Sequence, residues 1–550
     1  MAAAGAGAAP ASPPPALRHR ILMVSDFFFP NFGGVENHIY QLAQCLLAAG
    51  HKVVVMTHAY GDCTGVRYLT NGLKVYYIPR RPIYAQSTMP TLAGAMRLLR
   101  VLLVRERVTL VHAHQAFSAL GIEALVHART MGYKAVFTDH SLFGFADASS
   151  IATNKLLKAA LADANAVICV SHTSRENTVL RACLPPARVS VIPNAVDASD
   201  FEPARDESEV AKLAAGLGIP SPQEWAQQVE TAAAEAKGGA SLSSRGDGDA
   251  AAVAPRRSSR LRRRVAGGSV QEGEEEHAGG PANGAGPTGR GGSGDADGSG
   301  DARPGPPLTV VALSRLVYRK GVDLLALVIP EVCARHANVR FVIGGDGPKR
   351  RLLEEVVRRA GLEGRVSLLG AVPHERARDV LLQGQVFVNA SLTEAFCMAI
   401  VEAASAGLLV VSTRVGGVPE VLPPDMLLLC EPSAEGLLAA LEEALALAAA
   451  GRDPRAQHER VRAMYDWNDV AARTLRVYDA AMSDPRPDGL LPRLRRCVHA
   501  GPWAGPLWCC VLVLLHWWWR LLEWWTPAEG IERAPDWPRP PGSLSQTRLA

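Results

Sequence analysis

The sequence predicts an α/β protein with two doubly wound domains, on three observations. The first is a series of short apolar runs, which are typical of buried parallel strands. The second is the helical spacing of the apolar residues between these runs. The third is a change of composition that divides the runs into two groups. The length agrees, because 550 residues exceed one typical domain and a hydrophobic content of 48% is enough for two cores.

The first group of apolar runs lies in residues 20–204, the predicted N-terminal Rossmann-like domain. Between the first two runs, Val35, Ile39 and Leu42 recur at helical spacing, and Gly50 stands where a helix C-cap glycine belongs. This pattern predicts a strand–helix–strand unit. The predicted strands of this domain are 21–25, 52–58, 108–114, 134–140, 165–171 and 188–194.

The second group defines residues 308–484, the predicted C-terminal Rossmann-like domain. Ligands of doubly wound sheets bind beyond the carboxyl ends of the strands, so we expect functional residues where these runs end. The predicted strands of this domain are 308–314, 339–345, 365–370, 385–389 and 408–413.

Two stretches of biased composition flank the first domain. Residues 1–19 are rich in Ala and Pro, and residues 205–307 are dominated by Gly, Ala, Ser and Arg. Such segments cannot bury enough apolar surface to offset the entropy lost on ordering. We therefore predict that both stretches are disordered.

Charge and cysteine usage exclude several classes of protein. The formal net charge of +4 is small and is not gathered in one folded basic face, so no nucleic-acid partner is expected. The ten cysteines show neither a C-x-x-C pair nor the spacing of metal ligands, which favours a reduced compartment and predicts no metal site. The N-terminus lacks the apolar core of a signal peptide, so we expect the folded domains in the cytosol.

The C-terminal region predicts a membrane segment. A basic juxtamembrane stretch, 485–501, precedes an apolar run at 502–525 with tryptophans at both ends, and a short tail follows at 526–550. Its residues 502–519 are apolar except for His516, and eighteen residues is the lower limit for spanning a bilayer. An interfacial or re-entrant helix remains the alternative, because Pro506, His516, Arg520 and Glu523 weaken a span.

Glycines and cations stand at the predicted strand ends. Gly33 and Gly34 lead from the first strand into a helix, where backbone N–H groups can approach a phosphate. They do not form the G-x-G-x-x-G of a dinucleotide fold, which disfavours an oxidoreductase. Arg315 and Lys320 follow the strand at 308–314, where cations suit a diphosphate.

Two glutamates follow the strand at 385–389. Glu394 and Glu402 are eight residues apart, about 12 Å along a helix, which could place them at opposite ends of one sugar nucleotide. Phe396, Cys397 and Met398 lie at the predicted helix start between them, where free N–H groups can hold phosphates.

These motifs resemble those of a known family. The segment TEAFCMAIVEAASAGL (393–408) resembles the E-x7-E element of retaining family-4 glycosyltransferases. More narrowly, SDFFFPNFGGVENHIYQLAQ, TDHSLFGFAD, SRLVYRKGVDLL, GGDGPKR and STRVGGVPEVLP are similar to the catalytic subunits of phosphatidylinositol N-acetylglucosaminyltransferases. The likeness covers nearly all of residues 20–430.

The resemblance implies a GT-B fold of two facing domains and a reaction. UDP-N-acetylglucosamine (UDP-GlcNAc) would donate its sugar to phosphatidylinositol with retention, the first step of GPI-anchor biosynthesis. It also implies an endoplasmic reticulum membrane location with the catalytic domains on the cytosolic face, partner subunits of a transferase complex, and no essential metal or other cofactor. Two alternatives remain: a retaining GT-B transferase with another lipid or soluble acceptor, and a non-catalytic scaffold subunit.

The resemblance also implies roles for the residues already singled out. Gly33 and Gly34 would face the donor phosphates, while Arg315 and Lys320 would neutralise the diphosphate. Glu402 would hold the ribose and Glu394 would lie beside the transferred sugar. The donor site would include the helix start at 396–398. His140, at the end of a strand in the first domain, would contact the sugar from the opposite side and complete the catalytic set Glu394, His140, Arg315 and Lys320.

Overall fold

The computed structural model describes residues 19–84, 86–142, 148–242 and 306–535. Most of the predicted disordered stretches, 1–18 and 243–305, lie outside the described residues, as does the end of the tail, 536–550. His19, which was assigned to the disordered N-terminus, is buried against the first domain. The described residues up to Ala226 and from Pro306 onward belong to one compact unit.

The first domain contains an eight-stranded sheet in the order β10-β9-β8-β7-β1-β2-β4-β3. Its strands are parallel except β3, which pairs antiparallel with β4, and β5 and β6 form a separate hairpin. All six predicted strands are present, whereas β3 to β6 were not predicted. The strands are β1 Arg20–Val24, β2 Lys52–His58, β3 Gly65–Tyr68, β4 Lys74–Ile78, β5 Pro82–Tyr84, β6 Ser87–Thr88, β7 Leu110–His114, β8 Lys134–Asp139, β9 Ala166–Cys169 and β10 Val189–Val191.

Helices cover both faces of this sheet, as apolar strands buried on both faces require. In the first helix, Ile39, Leu42 and Leu46 are fully buried in the core, which explains the helical spacing seen in the sequence. The helices of this domain are α1 Gly34–Ala48, α2 Met96–Arg105, α3 Ala119–Thr130, α4 Ala148–Asp163 and α5 His172–Ala182.

Two helices, α6 (Glu207–Leu217) and α7 (Pro222–Leu242), occupy the start of the stretch predicted to be disordered. The prediction for 205–307 is therefore wrong for residues 207–242. The Asp206 side chain accepts a hydrogen bond from the Glu209 N–H at 2.9 Å and caps α6, and Gly218 ends it in the left-handed conformation.

Buried side chains hold α6 and the start of α7 on the second domain. Ala214 is fully buried, and Trp225 is 5% exposed with the Arg340 guanidinium 5.8 Å from its ring centroid. Glu209 pairs with Arg378 at 2.9 Å. A few contacts with the second domain order these helices. The average composition of residues 205–307 did not indicate these contacts.

The second domain contains a parallel six-stranded sheet in the order β13-β12-β11-β14-β15-β16. All five predicted strands are present, and the unpredicted β16 extends one edge. The elements are β11 Leu308–Leu313, α8 Val322–Arg335, β12 Val339–Gly344, α9 Arg350–Ala360, β13 Val366–Gly370, α10 Ala377–Leu381, β14 Val386–Asn389, α11 Met398–Ser405, β15 Leu409–Thr413, β16 Leu427–Cys430, α12 Ala434–Ala449 and α13 Pro454–Met464.

The next helix, α14 (Trp467–Met482), returns to the first domain and packs against α1 and β8. The Tyr478 hydroxyl is 2.7 Å from His112 Nδ1, and Asp479 Oδ1 is 2.8 Å from His19 Nε2. The boundary predicted at residue 484 is therefore too late. Sequence order placed this helix in the second domain, but its apolar face is buried on the first.

The basic segment 485–501 is also folded against the first domain, with α15 (Leu490–Cys497) packing on α4. Arg493 is buried and donates to Asp163 Oδ2 at 2.6 Å, and Arg496 donates to Asp163 Oδ1 at 2.7 Å. Burial by itself raises the pKa of Asp163, but the guanidinium groups of Arg493 and Arg129 hold it below its ordinary value. The prediction that these arginines form a juxtamembrane patch is wrong for Arg493 and Arg496, because a buried carboxylate pairs with both.

The last long helix, α16 (Ala504–Trp525), confirms the predicted apolar helix. Among the described residues it is the one helix long and apolar enough to cross a membrane. One face packs on the first domain through buried Leu512, Leu515 and Leu522, and Glu523 pairs with Arg100 at 2.8 Å. The other face is exposed and carries Leu507, Leu514, Trp517, Leu521, Trp524 and Trp525, and Trp503 directly before the helix is exposed as well.

We expect Trp225→Ala to lower the free energy of unfolding by about 3 kcal/mol, because it removes a buried aromatic side chain from the contact between α7 and the second domain. Chemical denaturation of the purified chain measures this change. Gln223→Ala, at an exposed position of the same helix, should change it by less than about 0.5 kcal/mol. Equal effects of the two variants would show that α7 is not held by this contact.

Candidate functional site

Three loops of the second domain meet at the carboxyl edge of its sheet. They are the basic loop (314–321), the glutamate loop (390–397) and the glycine loop (414–420). Gly321 has φ +67°, and a Cβ there would lie 1.7 Å from the Ala390 carbonyl oxygen. Gly416 has φ +51°, and a Cβ there would lie 2.1 Å from the Glu394 carbonyl oxygen. Glycine is required at both positions because backbone packs directly on backbone.

Lys320 of the basic loop and Glu394 of the glutamate loop form an ion pair. Ser391 Oγ donates a further hydrogen bond to the Glu394 carboxylate at 2.8 Å. Burial by itself lowers the pKa of Lys320, but the Glu394 carboxylate outweighs it, so that this pKa lies above its ordinary value. The lysine is therefore a stable cation at neutral pH.

Helix α11 begins directly after the glutamate loop and points its N-terminus into the cleft between the domains. Cys397, the N-cap residue, has φ +71°, and no side chain among the described residues caps this end. The first N–H groups of α11 and the helix dipole therefore remain available to an anion. Burial, and then the Glu394 carboxylate, raise the pKa of Cys397 to about 12, so this residue is a neutral thiol.

The N-terminus of α1 lies opposite that of α11. A Cβ on Gly34 would lie 4.0 Å from Met398 Cγ, the first residue of α11. A Cβ on Gly33 would lie 2.6 Å from the Glu36 carboxylate, so the glycine lets this side chain fold back over the helix start. The two helix N-termini predicted to hold phosphates are thus brought together.

Arg315 lies across the cleft from α1. Its side chain is exposed, and its charge acts on Glu36 of the first domain. Burial raises the pKa of Glu36, and the Arg315 guanidinium opposes this rise. Arg315 and Lys320 thus lie in the same part of the cleft as the two helix N-termini, and binding of an anion there stays a prediction.

Glu402 lies on α11 and is 9% exposed. Burial raises the pKa of its carboxyl group to about 7, against the opposing charge of Lys320. A buried carboxylate of this kind needs hydrogen-bond donors, which a ligand diol could supply. The contact of Glu402 with a ribose stays a prediction.

His140 follows β8 on the first-domain side of the cleft. Asp139 beside it is fully buried and is held by Arg181 and by Thr178 at 2.8 Å. Leu142, two residues beyond His140, lies beside the glycine loop. A Cβ added to Gly416 would lie 2.5 Å from Leu142 Cδ1. The structure thus brings the end of β8 close to the backbone of Glu394.

Sequence reasoning treated His140 as a single contact, whereas the structure groups it with His38 and His114. One ring nitrogen from each of the three lies within 4.8 Å of the others. The spacing rule for metal ligands missed this group because its members come from three separate elements. His114 ends β7, so the strand-end rule applied to the run at 108–114 could have identified it.

Contacts between the domains close the back of the cleft. Ser171 Oγ donates to the Ala395 carbonyl oxygen at 2.7 Å. The Glu420 carboxylate accepts from the N–H groups of His172 and Thr173 at 2.6 and 2.8 Å, and so caps α5 from the other domain. The sequence did not identify these residues, because a serine or a glutamate carries no local pattern that shows which distant residue it will contact.

Two family models match the chain. The model described as PIGA (GPI anchor biosynthesis) matches residues 58–147, and the model described as Glycosyl transferases group 1 matches residues 307–449. They cover one part of each domain.

Several curated proteins are similar over nearly the whole chain. The phosphatidylinositol N-acetylglucosaminyltransferase subunit from Arabidopsis thaliana is 48% identical over 95% of this chain and 95% of its own length. The Homo sapiens protein of the same name is 45% identical over 96% of this chain and 89% of its own length. The gpi3 subunit from Schizosaccharomyces pombe is 42% identical over 94% of this chain and 92% of its own length.

Solved structures share the fold at low sequence identity. Sucrose-phosphate synthase from Thermosynechococcus elongatus superposes with a TM-score of 0.57 at 18% identity, covering 85% of this chain and 100% of its own. HepE from Anabaena in complex with UDP gives a TM-score of 0.54 at 15% identity, covering 84% of this chain and 100% of its own. The predicted GT-B arrangement is confirmed.

Proposed function

Because the chain belongs to the family of these phosphatidylinositol N-acetylglucosaminyltransferase subunits, we propose that it transfers N-acetylglucosamine from UDP-GlcNAc to phosphatidylinositol. The product, N-acetylglucosaminyl-phosphatidylinositol, is the first intermediate of GPI-anchor biosynthesis. The relatives are named as subunits, which supports a complex, and we propose that the chain works with further subunits of a transferase complex.

One observation carries the proposal: the N-termini of α1 and α11 face each other beside Lys320 and Arg315. Two helix dipoles and two cations converge on one place, which suits the diphosphate of a sugar nucleotide. We propose that the diphosphate lies between Gly34 and Met398, flanked by Phe396 and Cys397. From there Glu402 would reach the ribose, and Glu394 the sugar.

The proposed reaction retains the anomeric configuration by a front-side route. As the bond from sugar C1 to the diphosphate breaks, negative charge develops on the leaving oxygen, and Arg315 and Lys320 stabilise it. The inositol hydroxyl attacks C1 on the same face and gives its proton to the departing phosphate. The ion pair with Lys320 makes Glu394 a poor nucleophile, which supports this route over a covalent intermediate. We propose that no metal or other cofactor is essential, since Arg315 and Lys320 can neutralise the negative charge that develops on the diphosphate.

Two other readings of the site remain testable. Another retaining GT-B transferase would share the donor cleft but use a different acceptor, and a scaffold subunit would lack turnover altogether. The arrangement of Glu394, Glu402, Arg315 and Lys320 in one cleft favours an enzyme over a scaffold. Supplying UDP-GlcNAc and phosphatidylinositol to membranes that carry the complex, and identifying the product by mass spectrometry, separates all three.

We propose that the chain associates with the endoplasmic reticulum membrane and keeps its domains on the cytosolic face. Helix α16 packs on the first domain at Leu512 and Leu515 in its middle and at Leu522 near its C-terminal end. A helix packed in this way cannot cross a bilayer while the contact holds. We propose that α16 lies in the membrane interface, with its exposed tryptophans and leucines among the lipids.

Arg315→Ala and Lys320→Ala should each lower kcat about a hundredfold or more, because each removes a cation from the leaving diphosphate. The measurement is turnover of UDP-GlcNAc by the purified complex. Arg351→Ala, at an exposed position of α9, is the control and should leave turnover unchanged. The folded fraction of each variant is compared by circular dichroism. Wild-type turnover in a folded Arg315→Ala variant would contradict the assignment.

The KM for UDP-GlcNAc should rise as the pH falls through about 7, the pKa of Glu402. Below that pH the carboxyl group is protonated, and the acceptor for the ribose hydroxyls is lost. One pH unit below the pKa only about a tenth of the groups are ionised, so the expected rise is up to about tenfold. Glu402→Gln should raise KM at every pH and abolish this dependence, while Glu443→Gln, at an exposed site of α12, should retain it. A KM of the wild-type enzyme that is constant across this range would refute the role.

Replacing the exposed Trp517 and Trp524 by Glu should release the purified chain from phospholipid vesicles in a flotation assay, because it puts charge on the lipid-facing side of α16. Leu180→Glu, at an exposed apolar residue of α5, is the control and should leave flotation unchanged. In sealed microsomes, protease should digest tags at both Met1 and Ala550. Protection of the tag at Ala550 would instead show that α16 spans the bilayer.

A further inference from the structure

Three histidines from three elements meet at the first-domain wall of the cleft. His38 lies on α1, His114 ends β7, and His140 follows β8. His114 Nδ1 is 3.3 Å from His140 Nε2. Two nitrogens bound to one tetrahedral zinc ion, each about 2.05 Å from it, are also about 3.3 Å apart. The pair therefore has the separation of two ligands on one ion, which is also the distance of a hydrogen bond between the two rings.

The third histidine is held as metal-bound histidines are. His38 Nδ1 is 2.8 Å from the side-chain oxygen Oδ1 of Asn194. Since an amide oxygen only accepts, Nδ1 carries the proton and Nε2 keeps a free lone pair. A hydrogen bond from the other ring nitrogen is the usual device that orients a histidine ligand.

A fourth histidine, His112, shows the contrast. Its ring lies 4.0 Å from that of His114, but both of its nitrogens are bonded, to Tyr478 and Thr138, each at 2.7 Å. It is a structural histidine whose hydrogen bonds are complete.

The trio differs from His112 in the nitrogens that face each other. His114 Nδ1 and His140 Nε2 lie within hydrogen-bond distance of each other and are the two nitrogens that an ion between the rings would bind. On the far sides of these rings, His114 Nε2 and His140 Nδ1 are buried without a hydrogen-bond partner among the described residues. Burial lowers the pKa of His38 to about 4, and it also lowers those of His114 and His140.

We propose that His38, His114 and His140 form a three-histidine site for Zn²⁺ or a similar late first-row metal ion. Imidazole ligands favour these ions over Mg²⁺ or Ca²⁺, which prefer oxygen. His140 is only half-buried, so it lies on the open side, where water would complete the coordination.

The site has a consequence that rests on the proposed function. If His140 contacts the donor sugar, a metal ion on its imidazole takes the nitrogen that the sugar needs. Zn²⁺ then inhibits transfer in competition with UDP-GlcNAc, and a chelator restores activity. The metal ion is an inhibitor here and takes no part in turnover.

The test uses the full chain in its purified complex, stripped with a chelator and then titrated with Co²⁺ and Zn²⁺. We expect the visible spectrum of tetrahedral cobalt, displaced by zinc, and bound zinc in elemental analysis. His114→Gln and His38→Gln should weaken binding at least about tenfold. His336→Gln, in the second domain, is the matched control and should bind like the wild type. Asn194→Ala keeps all three ligands but removes the hydrogen bond that orients His38, and it should also weaken binding about tenfold. This variant provides the test if a ligand variant fails to fold.

The outcomes separate the site from the proposed reaction. Cobalt or zinc binding that is unchanged in folded His114→Gln, His38→Gln and Asn194→Ala overturns the metal site. Binding lost in these variants, with competitive zinc inhibition of the wild type, supports both the site and the sugar contact of His140. Binding at the trio without inhibition supports the site and overturns that sugar contact.

Discussion

The candidate site depends on the direct backbone packing of loops in the second domain. Gly321 and Gly416 lie against the backbone of the glutamate loop, and a Cβ on Gly345 would lie 1.8 Å from the Ser314 carbonyl oxygen. No larger residue fits these positions without moving a loop. This packing places Lys320 against Glu394 and directs the N-terminus of α11 into the cleft. The position of Lys320 and Glu394 therefore rests on the glycines that allow the loops to pack directly on each other.

The first domain completes the site through contacts on two sides. At the cleft, Ser171 bonds the glutamate loop and Glu420 caps α5. Behind the sheet, α14 crosses back to the first domain, where Tyr478 bonds His112 beside the histidine trio. The start of α11 is thus joined, through Ala395, to the domain that carries Gly34 and His140.

The C-terminal region shows how tertiary partners change the meaning of a charge. Arg493 and Arg496 stand before an apolar helix, which by composition is the pattern of a membrane segment, yet Asp163 binds both. The apolar helix that follows has one face packed on the protein and one exposed face. Leu512 and Leu522 are buried, whereas Trp517 and Trp524 are exposed. A helix with two apolar faces is expected where one faces a domain and the other faces lipid.

The sequence by itself determined the two α/β domains and eleven of their strands, because apolar runs and helical spacing are patterns of neighbouring residues in the chain. Gly33, Gly34, Arg315, Lys320 and Glu394 could be selected as candidates since each stands next to a predicted strand or helix end. Only the tertiary structure decided which of them meet, that α6 and α7 are ordered, and that α14 belongs to the first domain. It alone joined His38, His114 and His140, since contacts between residues distant in sequence leave no local pattern.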